Sequence, residues 1–352
     1  MKAHKGRGAV STPDGRFAKR HVEELADEAS EAAAQAPETV LRAMRAGSII
    51  SHNTSPDIPF DRSINPYQGC EHGCIYCYAR PSHSYLDLSP GLDFETQVFY
   101  KPNAGERLVS EWEKPGYECK PITIGANTDP YQPAEKTTRI TRQLLELFQK
   151  HEHPVNLITK GNLISRDIDL LAWLAERDLC SVAISVPTMD AALKRIMEPR
   201  VPSAESRLKV ITELASNGVP TSVLVAPVIP AINDAEIEQI LEAVATAGAT
   251  HATYIFLRLP HEVRSLFIDW LATHFPDRAE HVMSLVRQAS GGKDYDNRFG
   301  VRQRGRGPYA DMLGRRFQAA CQRFGLTGDR YQQKLNCRRF TPPGPLQLGL
   351  NL

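Results

Sequence analysis

The sequence predicts an α/β protein built as an open, partial (β/α)6 barrel, with an N-terminal arm and a C-terminal helical extension. From about Ser63 onward, short apolar runs alternate with helical segments of roughly 12–15 residues, which is typical of βα units joined into a parallel sheet. Several apolar runs are uninterrupted, as in 222–226, which fits strands covered on both faces. About six such units can be counted, too few for a closed barrel of eight.

The βα units follow in a regular order along the chain. Strands are expected near 63–67 and at 122–125, 154–158, 181–186, 221–226 and 252–257. Helices are expected at 138–151, 165–177, 203–217, 234–247 and 262–274. Ser165 and Asp234 are natural N-caps, and Gly218 and Gly248 are natural stops. Functional side chains are therefore expected in the loops that follow the strands.

Three regions are predicted along the chain. Residues 1–60 are read as an N-terminal extension whose first 20 residues are disordered and whose segment 22–45 contains a helix. Residues 61–285 form the barrel, and residues 286–352 form a basic C-terminal extension with a helix at 309–324. The tail 341–345 is rich in proline and is expected to be irregular.

The composition excludes several classes of protein. No run of 18 apolar residues could span a membrane, and the basic N-terminus has no apolar core of a secretory signal. The seven cysteines are an odd number, which speaks against a disulfide framework. We therefore expect a cytoplasmic protein without a membrane partner.

Charge is distributed unevenly although the net charge is only +1. The segment 287–339 carries 13 Lys or Arg against 4 Asp or Glu, while the rest carries 29 against 37. A basic surface of this kind favours an anionic partner such as nucleic acid. The alternative is that Arg298, Arg302, Arg304 and Arg306 fasten the C-terminal segment to the acidic barrel, and both interpretations remain open.

Three of the cysteines, Cys70, Cys74 and Cys77, lie within eight residues. Three thiolates on a tight loop suit a soft metal, either zinc or an iron–sulfur cluster. A 4Fe-4S cluster held by three cysteines leaves one iron open to another ligand, whereas a structural zinc needs a fourth ligand, for which His72 and His83 are candidates. The spacing is unusual for zinc, which favours Cys-x2-Cys pairs. The residues therefore favour an iron–sulfur cluster. They leave open a zinc site and a chance grouping of cysteines that binds no metal.

The spacing Cys-x3-Cys-x2-Cys, with Tyr76 just before the third cysteine, resembles the signature of the radical S-adenosylmethionine (SAM) superfamily. Further segments resemble the subgroup related to spore photoproduct lyase, and more narrowly its bacterial relatives described as DNA repair photolyases. The segments are 65–70, 128–133, 159–160, 166–167, 198–199 and 229–234, within a likeness that covers about residues 60–325.

This resemblance implies a radical SAM core barrel with a 4Fe-4S cluster on Cys70, Cys74 and Cys77. It implies that SAM binds the open iron and is cleaved reductively to a 5′-deoxyadenosyl radical, with a flavodoxin or ferredoxin as a suitable reductant. Candidate SAM contacts are Tyr76 through its backbone, Thr128 and Asp129 for the amino group, Lys160 for the carboxylate or ribose, and Ser185 for the ribose. Pro227 and Pro230 would contact the adenine, Tyr78 could lie near the radical, and Glu198 with Arg207 is read as a structural ion pair.

The sequence differs from that of the lyase at one catalytic position. The lyase returns a hydrogen atom through a cysteine in the loop after the second strand, but the corresponding stretch 124–129 has none. We therefore do not infer repair of thymine dimers for this chain from its resemblance to the lyase. The first hypothesis is a lyase-like radical SAM enzyme whose substrate, not identified by the sequence, is DNA, RNA or another macromolecule. The alternatives are radical SAM modification of a peptide or small metabolite, and a non-catalytic zinc protein that binds nucleic acid.

Overall fold

The computed structural model describes residues 4–18, 37–326 and 335–344. Its main sheet has seven strands in the order β10-β9-β8-β7-β6-β3-β2, and all neighbours from β3 to β10 are parallel. Six parallel strands therefore form the partial barrel that the sequence predicts. Strand β2 is antiparallel to β3 and ends the sheet on one side, while β10 ends it on the other.

Strands β1 to β10 are Val40–Ala43, Ile50–His52, Arg62–Ile64, Tyr67–Gln68, Gln97–Tyr100, Ile122–Ile124, Val155–Thr159, Cys180–Ser185, Thr221–Val228 and His251–Phe256. The α-helices are Asp93–Thr96, Ala104–Trp112, Glu135–Thr138, Ile140–Lys150, Ile168–Ala175, Ala191–Met197, Ala204–Ser216, Ile237–Thr246, Val263–His274, Ala279–Ala289 and Pro308–Arg323. Short 3-10 helices are Arg80–Leu86, Asn162–Asp167, Asp234–Glu236 and Cys337–Arg339. No described helix is long and apolar enough to cross a membrane.

The central strands are formed by residues that are hidden on both faces. Every residue of β8 is buried, and β9 has a single partly exposed residue, as expected for parallel strands covered by helices. Cys180 opens β8 and is fully buried, as a small apolar side chain would be. These strands are the elements that position the site, because their carboxyl ends all face one edge.

Two predicted helix starts are wrong. Ser165 lies inside the 3-10 helix Asn162–Asp167, and its hydroxyl donates to Glu213 instead of capping a helix. Asp234 opens another 3-10 helix and accepts a hydrogen bond from the Tyr309 hydroxyl. In both places the chain makes a tight turn before the α-helix begins. By contrast, Gly218 (φ 72°) and Gly248 (φ 102°) end their helices as predicted.

The prediction of a disordered N-terminus is wrong for residues 4–18. Ala9 is fully buried and Val10 and Arg7 nearly so, because this segment packs against residues 70–95. The predicted helix at 22–45 lies partly outside the described residues, and its end is instead the strand Val40–Ala43, paired in parallel with β5. Long-range pairing therefore overrides the helical composition of the segment.

The predicted regional boundaries do not coincide with breaks in the structure. Strand β2 joins the main sheet from the N-terminal side of residue 60, and helix Ala279–Ala289 continues across position 285. The C-terminal helix Pro308–Arg323 packs on the barrel helix Ile237–Thr246, with an ion pair of 2.7 Å between Arg316 and Glu238. The C-terminal extension is thus built onto the barrel along its last strands.

Candidate active site at the carboxyl ends of the strands

The three cysteines lie on a tight loop that follows β4. Cys70 and Cys74 are buried and Cys77 is partly buried. Gly69 (φ 85°) and Gly73 (φ 66°) allow the loop to turn, and a Cβ at Gly73 would lie 2.7 Å from the Glu95 carboxylate. Burial raises the pKa of the Cys74 and Cys77 thiols. A metal ion or cluster would take the place of those protons.

A buried carboxylate anchors the cysteine loop to two distant segments. Glu95 is fully buried and forms an ion pair with Arg80, which is also fully buried. Arg80 donates in turn to the carbonyl oxygens of Gly73 (3.2 Å) and Cys74 (3.0 Å). The Glu95 carboxylate also accepts from the backbone N–H groups of Gly8 (3.0 Å) and Ala9 (2.9 Å). The N-terminal segment therefore helps to hold the loop in place.

The cysteine loop forms one wall of a cleft of about 190 Å³ at the carboxyl ends of the strands. The residues that line it come from the loop and from five parallel strands or the turns after them. They are Cys70, His72, Cys74, Tyr76, Cys77, Tyr78, Gly125, Ala126, Asn127, Asp129, Ile158, Thr159, Lys160, Ser185, Leu224, Ala226, Pro227, Ile255, Phe256 and Arg258. The predicted site residues Tyr76, Asp129, Lys160 and Ser185 thus share one cavity with the cysteines.

Asp129 organises the centre of this cleft. Its carboxylate accepts hydrogen bonds from the Thr159 hydroxyl (2.6 Å) and the Lys160 backbone N–H (2.7 Å), and it lies 3.3 Å from His72 Nδ1. Burial by itself would raise the pKa of Asp129, but the charge of His72 and these hydrogen bonds lower it to about 2. Asp129 is therefore a carboxylate that binds β7 to the cysteine loop.

The Lys160 ammonium and the Ser185 hydroxyl have no hydrogen-bond partner among the described residues. The Lys160 ammonium lies 5.9 Å from the centre of the Tyr76 ring and forms no hydrogen bond with any residue that the structure describes. Ser185 ends β8, and its side chain lies on the cleft wall. Both residues follow or end a parallel strand, which is where ligand-binding groups of such folds gather.

The predicted pair of Glu198 and Arg207 is a buried ion pair of 2.9 Å. Glu198 also accepts from the Tyr76 hydroxyl and lies 4.0 Å from the Cys74 sulfur. Burial would raise the pKa of Glu198, but the charges of Arg207 and Lys160 outweigh it and lower the pKa. The pair therefore fixes the ring of Tyr76 beside the cysteine loop, which agrees with a structural role.

Thr128 differs from the other predicted site residues. Its hydroxyl donates to the carbonyl oxygen of Tyr67 (2.7 Å), and its side chain is buried away from the cleft wall. The structure therefore does not support a direct contact of this side chain with a ligand in the cleft. His83 is also outside the cleft, because its Nε2 is hydrogen-bonded to the Gln97 carbonyl (2.9 Å). Of the two candidate histidines, His72 lines the cleft with the cysteines and His83 does not.

The apolar wall of the cleft is held by Asn233. Its side chain accepts from the N–H of Ile229 (2.6 Å) and donates to the carbonyl oxygens of Pro187 (2.7 Å) and Pro227 (2.9 Å). Pro227 lines the cleft, whereas Pro230 does not. Asn233 is thus a brace for the loop after β9, and one of the two predicted prolines is placed to contact a ligand.

Sequence reasoning missed Glu95, Asn127 and Arg258. Arg258 and Asn127 each follow a parallel strand, so their position after a strand was a usable signal. Glu95 gave no such signal, because its partners Gly8 and Ala9 are more than 80 residues away. Its role depends on the tertiary structure alone.

Comparisons with known proteins agree with this arrangement. The family model described as the radical SAM superfamily matches residues 64–244, just over half of the chain. An uncharacterized protein of Mycobacterium tuberculosis is 35% identical over 279 residues, which is 77% of each chain.

The chain belongs to the radical SAM superfamily.

Two further matches are a solved structure and a relative whose activities are named. A spore photoproduct lyase variant with bound AdoMet and dinucleoside spore photoproduct superposes with a TM-score of 0.57 at 15% identity, covering 82% of this chain and 80% of that one. The partial barrel is thus the fold of that lyase. A radical SAM Nalpha-GlyT isomerase of Pseudomonas phage M6 is 26% identical over 231 residues, which is 64% of this chain and 46% of that protein.

The residues of the radical SAM site fit the cofactors that the family implies. The three cysteines supply soft thiolate donors on one wall of a single cleft, beside a lysine and a serine on strand ends. No group of three or more His, Cys, Asp or Glu side chains in residues 4–18, 37–326 and 335–344 is placed to hold one metal ion. Three thiolate donors on one loop fit a 4Fe-4S cluster, which takes one protein ligand on each of three irons.

Proposed function

We propose that this chain holds a 4Fe-4S cluster on Cys70, Cys74 and Cys77 and uses it, with SAM, to start radical chemistry on a nucleic-acid substrate. When bound, the cluster would supply one electron and SAM would supply a 5′-deoxyadenosyl radical that abstracts hydrogen from an unactivated carbon. The observation that carries the proposal is that the three cysteines share one cleft with Lys160 and Ser185. A flavodoxin or ferredoxin is the class of reductant that we infer.

Each residue of the chain has a distinct part in this proposal. Lys160 would bind an anionic or hydroxyl group of SAM, and Ser185 would hydrogen-bond the ribose. Asp129 would keep Lys160 in place, because its carboxylate already binds the Lys160 backbone. Tyr76, fixed through Glu198, and Pro227 would form the surface against which the adenine lies. The cleft would also shield the reactive species from water.

The nucleic-acid part of the proposal rests on two exposed aromatic side chains, Tyr78 on the cleft wall and Phe299 on a neighbouring segment. Tyr78 is 44% exposed and Phe299 is 57% exposed, so both offer faces on which bases can stack. The segment that carries Phe299 borders the cleft, because Phe256 N–H on the cleft wall donates to the Gln303 carbonyl (2.8 Å). The lyase variant that shares the fold was solved with a dinucleoside.

The radical chemistry is tested by anaerobic reconstitution with iron and sulfide, followed by dithionite and SAM. We expect the wild type to form 5′-deoxyadenosine, measured by mass spectrometry, and Cys74→Ala to form none. Cys337→Ala, which removes a partly exposed cysteine far along the chain, is the matched control and should behave as the wild type. A wild-type protein that binds no iron contradicts the proposal.

The substrate is tested in the same assay with added single-stranded DNA, RNA or a peptide digest. We expect nucleic acid to accelerate 5′-deoxyadenosine formation and the peptide digest to leave it unchanged. Acceleration by the peptides alone would show that the radical chemistry is right and that the nucleic-acid substrate is wrong.

A further inference from the structure

Arg258 is a second cationic side chain on the wall of the cleft, besides Lys160. Lys160 follows β7 and Arg258 follows β10, and the sheet order places β8 and β9 between their strands. The two cations therefore approach the cleft from different sides. The proposed function assigns Lys160 to the binding of SAM, whereas it assigns no ligand to Arg258.

The guanidinium of Arg258 is only partly satisfied by the described residues. Its Nη2 donates a long hydrogen bond to the Tyr295 hydroxyl (3.3 Å), and its centre lies 5.1 Å from that of the Tyr78 ring. Its Nε is buried and has no hydrogen-bond partner in the described part of the chain. Asp57, whose pKa reflects the charge of Arg258, is already bound by the Arg302 side chain and by the N–H of Gly300.

Two buried arginines near the site each have a carboxylate partner. Arg80 has Glu95 and Arg207 has Glu198, each as a buried ion pair. A buried guanidinium normally needs such a partner, because desolvation of an unpaired charge is costly. Among the described residues no carboxylate lies within ion-pair distance of Arg258. Arg258 is thus a cation on the cleft wall that has one long hydrogen bond and no carboxylate partner among the described residues, an arrangement that suits an anionic ligand.

We propose that Arg258 binds a phosphate group of the nucleic-acid substrate, next to the nucleoside that enters the cleft. The inference rests on the proposed function and names the group by which its substrate is held. The planar donors of arginine match the oxygens of a phosphate, and the half-exposed ring of Tyr78, 5.1 Å from the Arg258 guanidinium, is beside it to receive a base. Phosphate binding and base stacking together are typical of single-stranded nucleic-acid sites.

The test is binding of a fluorescein-labelled single-stranded oligothymidylate, followed by anisotropy over a range of salt concentrations. Arg258→Gln should weaken binding on the order of tenfold, since one charge-assisted hydrogen bond is lost. The slope of log affinity against log salt should fall by about 0.7, as for one phosphate contact on a single strand. Arg45→Gln, whose exposed side chain is paired with Glu106 and does not line the cleft, is the matched control and should leave both values unchanged.

A second variant and two competing ligands test the phosphate contact independently of Arg258→Gln binding. Arg258→Lys keeps the charge, so it should retain the salt slope of the wild type but only part of its affinity. Thymidine monophosphate should displace the probe from the wild type better than thymidine does, and this difference should vanish in Arg258→Gln. Thermal melting of each variant shows whether the fold is kept, and if Arg258→Gln does not fold, the Arg258→Lys data and the wild-type competition decide.

Failure of this inference differs from failure of the proposed function. If the wild type binds the probe and Arg258→Gln binds it equally well, Arg258 does not hold a phosphate, and the nucleic-acid proposal stands. If the wild type binds no probe, both the nucleic-acid substrate and the phosphate site are wrong. The formation of 5′-deoxyadenosine from SAM reports separately on the radical chemistry in either case.

Discussion

Single side chains at the ends of the parallel strands define the chemistry of this site. The Lys160 ammonium lies 5.9 Å from the centre of the Tyr76 ring in the cysteine loop and forms no hydrogen bond with the described residues. Its backbone is fixed by Asp129, whereas its side chain is available to a ligand. A residue that is rigid in its main chain and unpaired at its charged end is suited to bind a charged molecule without reorganisation.

We therefore expect Lys160→Ala to weaken SAM binding by about tenfold, the effect of one lost charge-assisted hydrogen bond. The measurement is equilibrium dialysis of SAM against the reconstituted enzyme under anaerobic conditions. Lys209→Ala removes an exposed lysine that is paired with Glu205 on a barrel helix, and it should bind SAM as the wild type does. Equal SAM affinity in Lys160→Ala and Lys209→Ala would remove Lys160 from the site.

At the scale of the elements, the N-terminal segment 4–18 is a structural part of the cysteine loop. Gly8 lies so close to this loop that a Cβ on it would lie 1.9 Å from the Gly73 carbonyl oxygen. Its N–H donates to the Glu95 carboxylate, which also binds Arg80 behind the loop. The segment can pack in this way only if residue 8 lacks a side chain.

Gly8→Ala should therefore move the N-terminal segment away from the loop and reduce the iron retained after reconstitution. Such an overlap of backbone atoms lowers stability by about 1–3 kcal/mol. Gly47→Ala is the control, because a Cβ there meets no atom within 4 Å. Iron content and thermal melting measure the two effects, and a Gly8→Ala protein with full iron content and an unchanged melting temperature would disprove the packing role.

The elements also show which features the sequence predicts and which it does not. Apolar runs predicted the five later strands of the barrel to within two residues at each end, because burial on both faces requires such runs. The sequence predicts a helix where the strand Val40–Ala43 lies. Local composition does not reveal that this segment pairs with Gln97–Tyr100. The packing of residues 4–18 was missed for the same reason.

The site shows the same division between local and distant information. The cysteine spacing and the strand ends placed Tyr76, Asp129, Lys160 and Ser185, which all line the cleft. Thr128 shares a strand end with Asp129, but its hydroxyl turns to the Tyr67 carbonyl. The sequence indicates which loop borders the cleft, and only the packing shows which side chain of that loop faces it.

At the scale of the whole molecule, charge binds the C-terminal segment to the barrel. Arg302 is paired with Asp57, and Arg316 is paired with Glu238. Arg304 donates to Thr253 on the last strand (2.7 Å). These contacts favour the interpretation that the basic segment is fastened to the acidic barrel. The Arg316–Glu238 pair is partly exposed and contributes little by itself, whereas the Arg302–Asp57 pair is largely buried. Together these contacts fix the segment that borders the cleft.

A second connection between distant parts of the molecule is the aromatic cluster around His153. The imidazole stacks on Trp112 with ring centres 4.8 Å apart, and Phe340 from the C-terminal segment lies at the same distance. His153 Nδ1 faces the Pro154 carbonyl oxygen (3.0 Å) and Nε2 faces the Tyr117 hydroxyl (2.8 Å). Because a carbonyl oxygen only accepts, the neutral ring donates from Nδ1 and accepts at Nε2.

Acid should therefore destabilise the whole fold through His153. Burial, which outweighs the hydrogen bond to Pro154, and the nearby charges of Arg62 and His151 lower the pKa of His153 from 6.5 to about 3. Between these values the unfolded chain binds a proton that the folded protein excludes, so stability is lost as the pH falls. The slope from this residue is at most about 1.4 kcal/mol per pH unit.

Urea unfolding at pH values from about 7 down to about 4 measures this dependence. His153→Phe keeps a ring in the cluster and removes the titrating group, so its stability should vary less with pH than that of the wild type. His281→Gln, which replaces an exposed histidine on a surface helix, should keep the wild-type slope. If His153→Phe loses stability on acidification as steeply as the wild type, the acid sensitivity arises elsewhere, and the cluster is only an apolar contact between the barrel and its C-terminal segment.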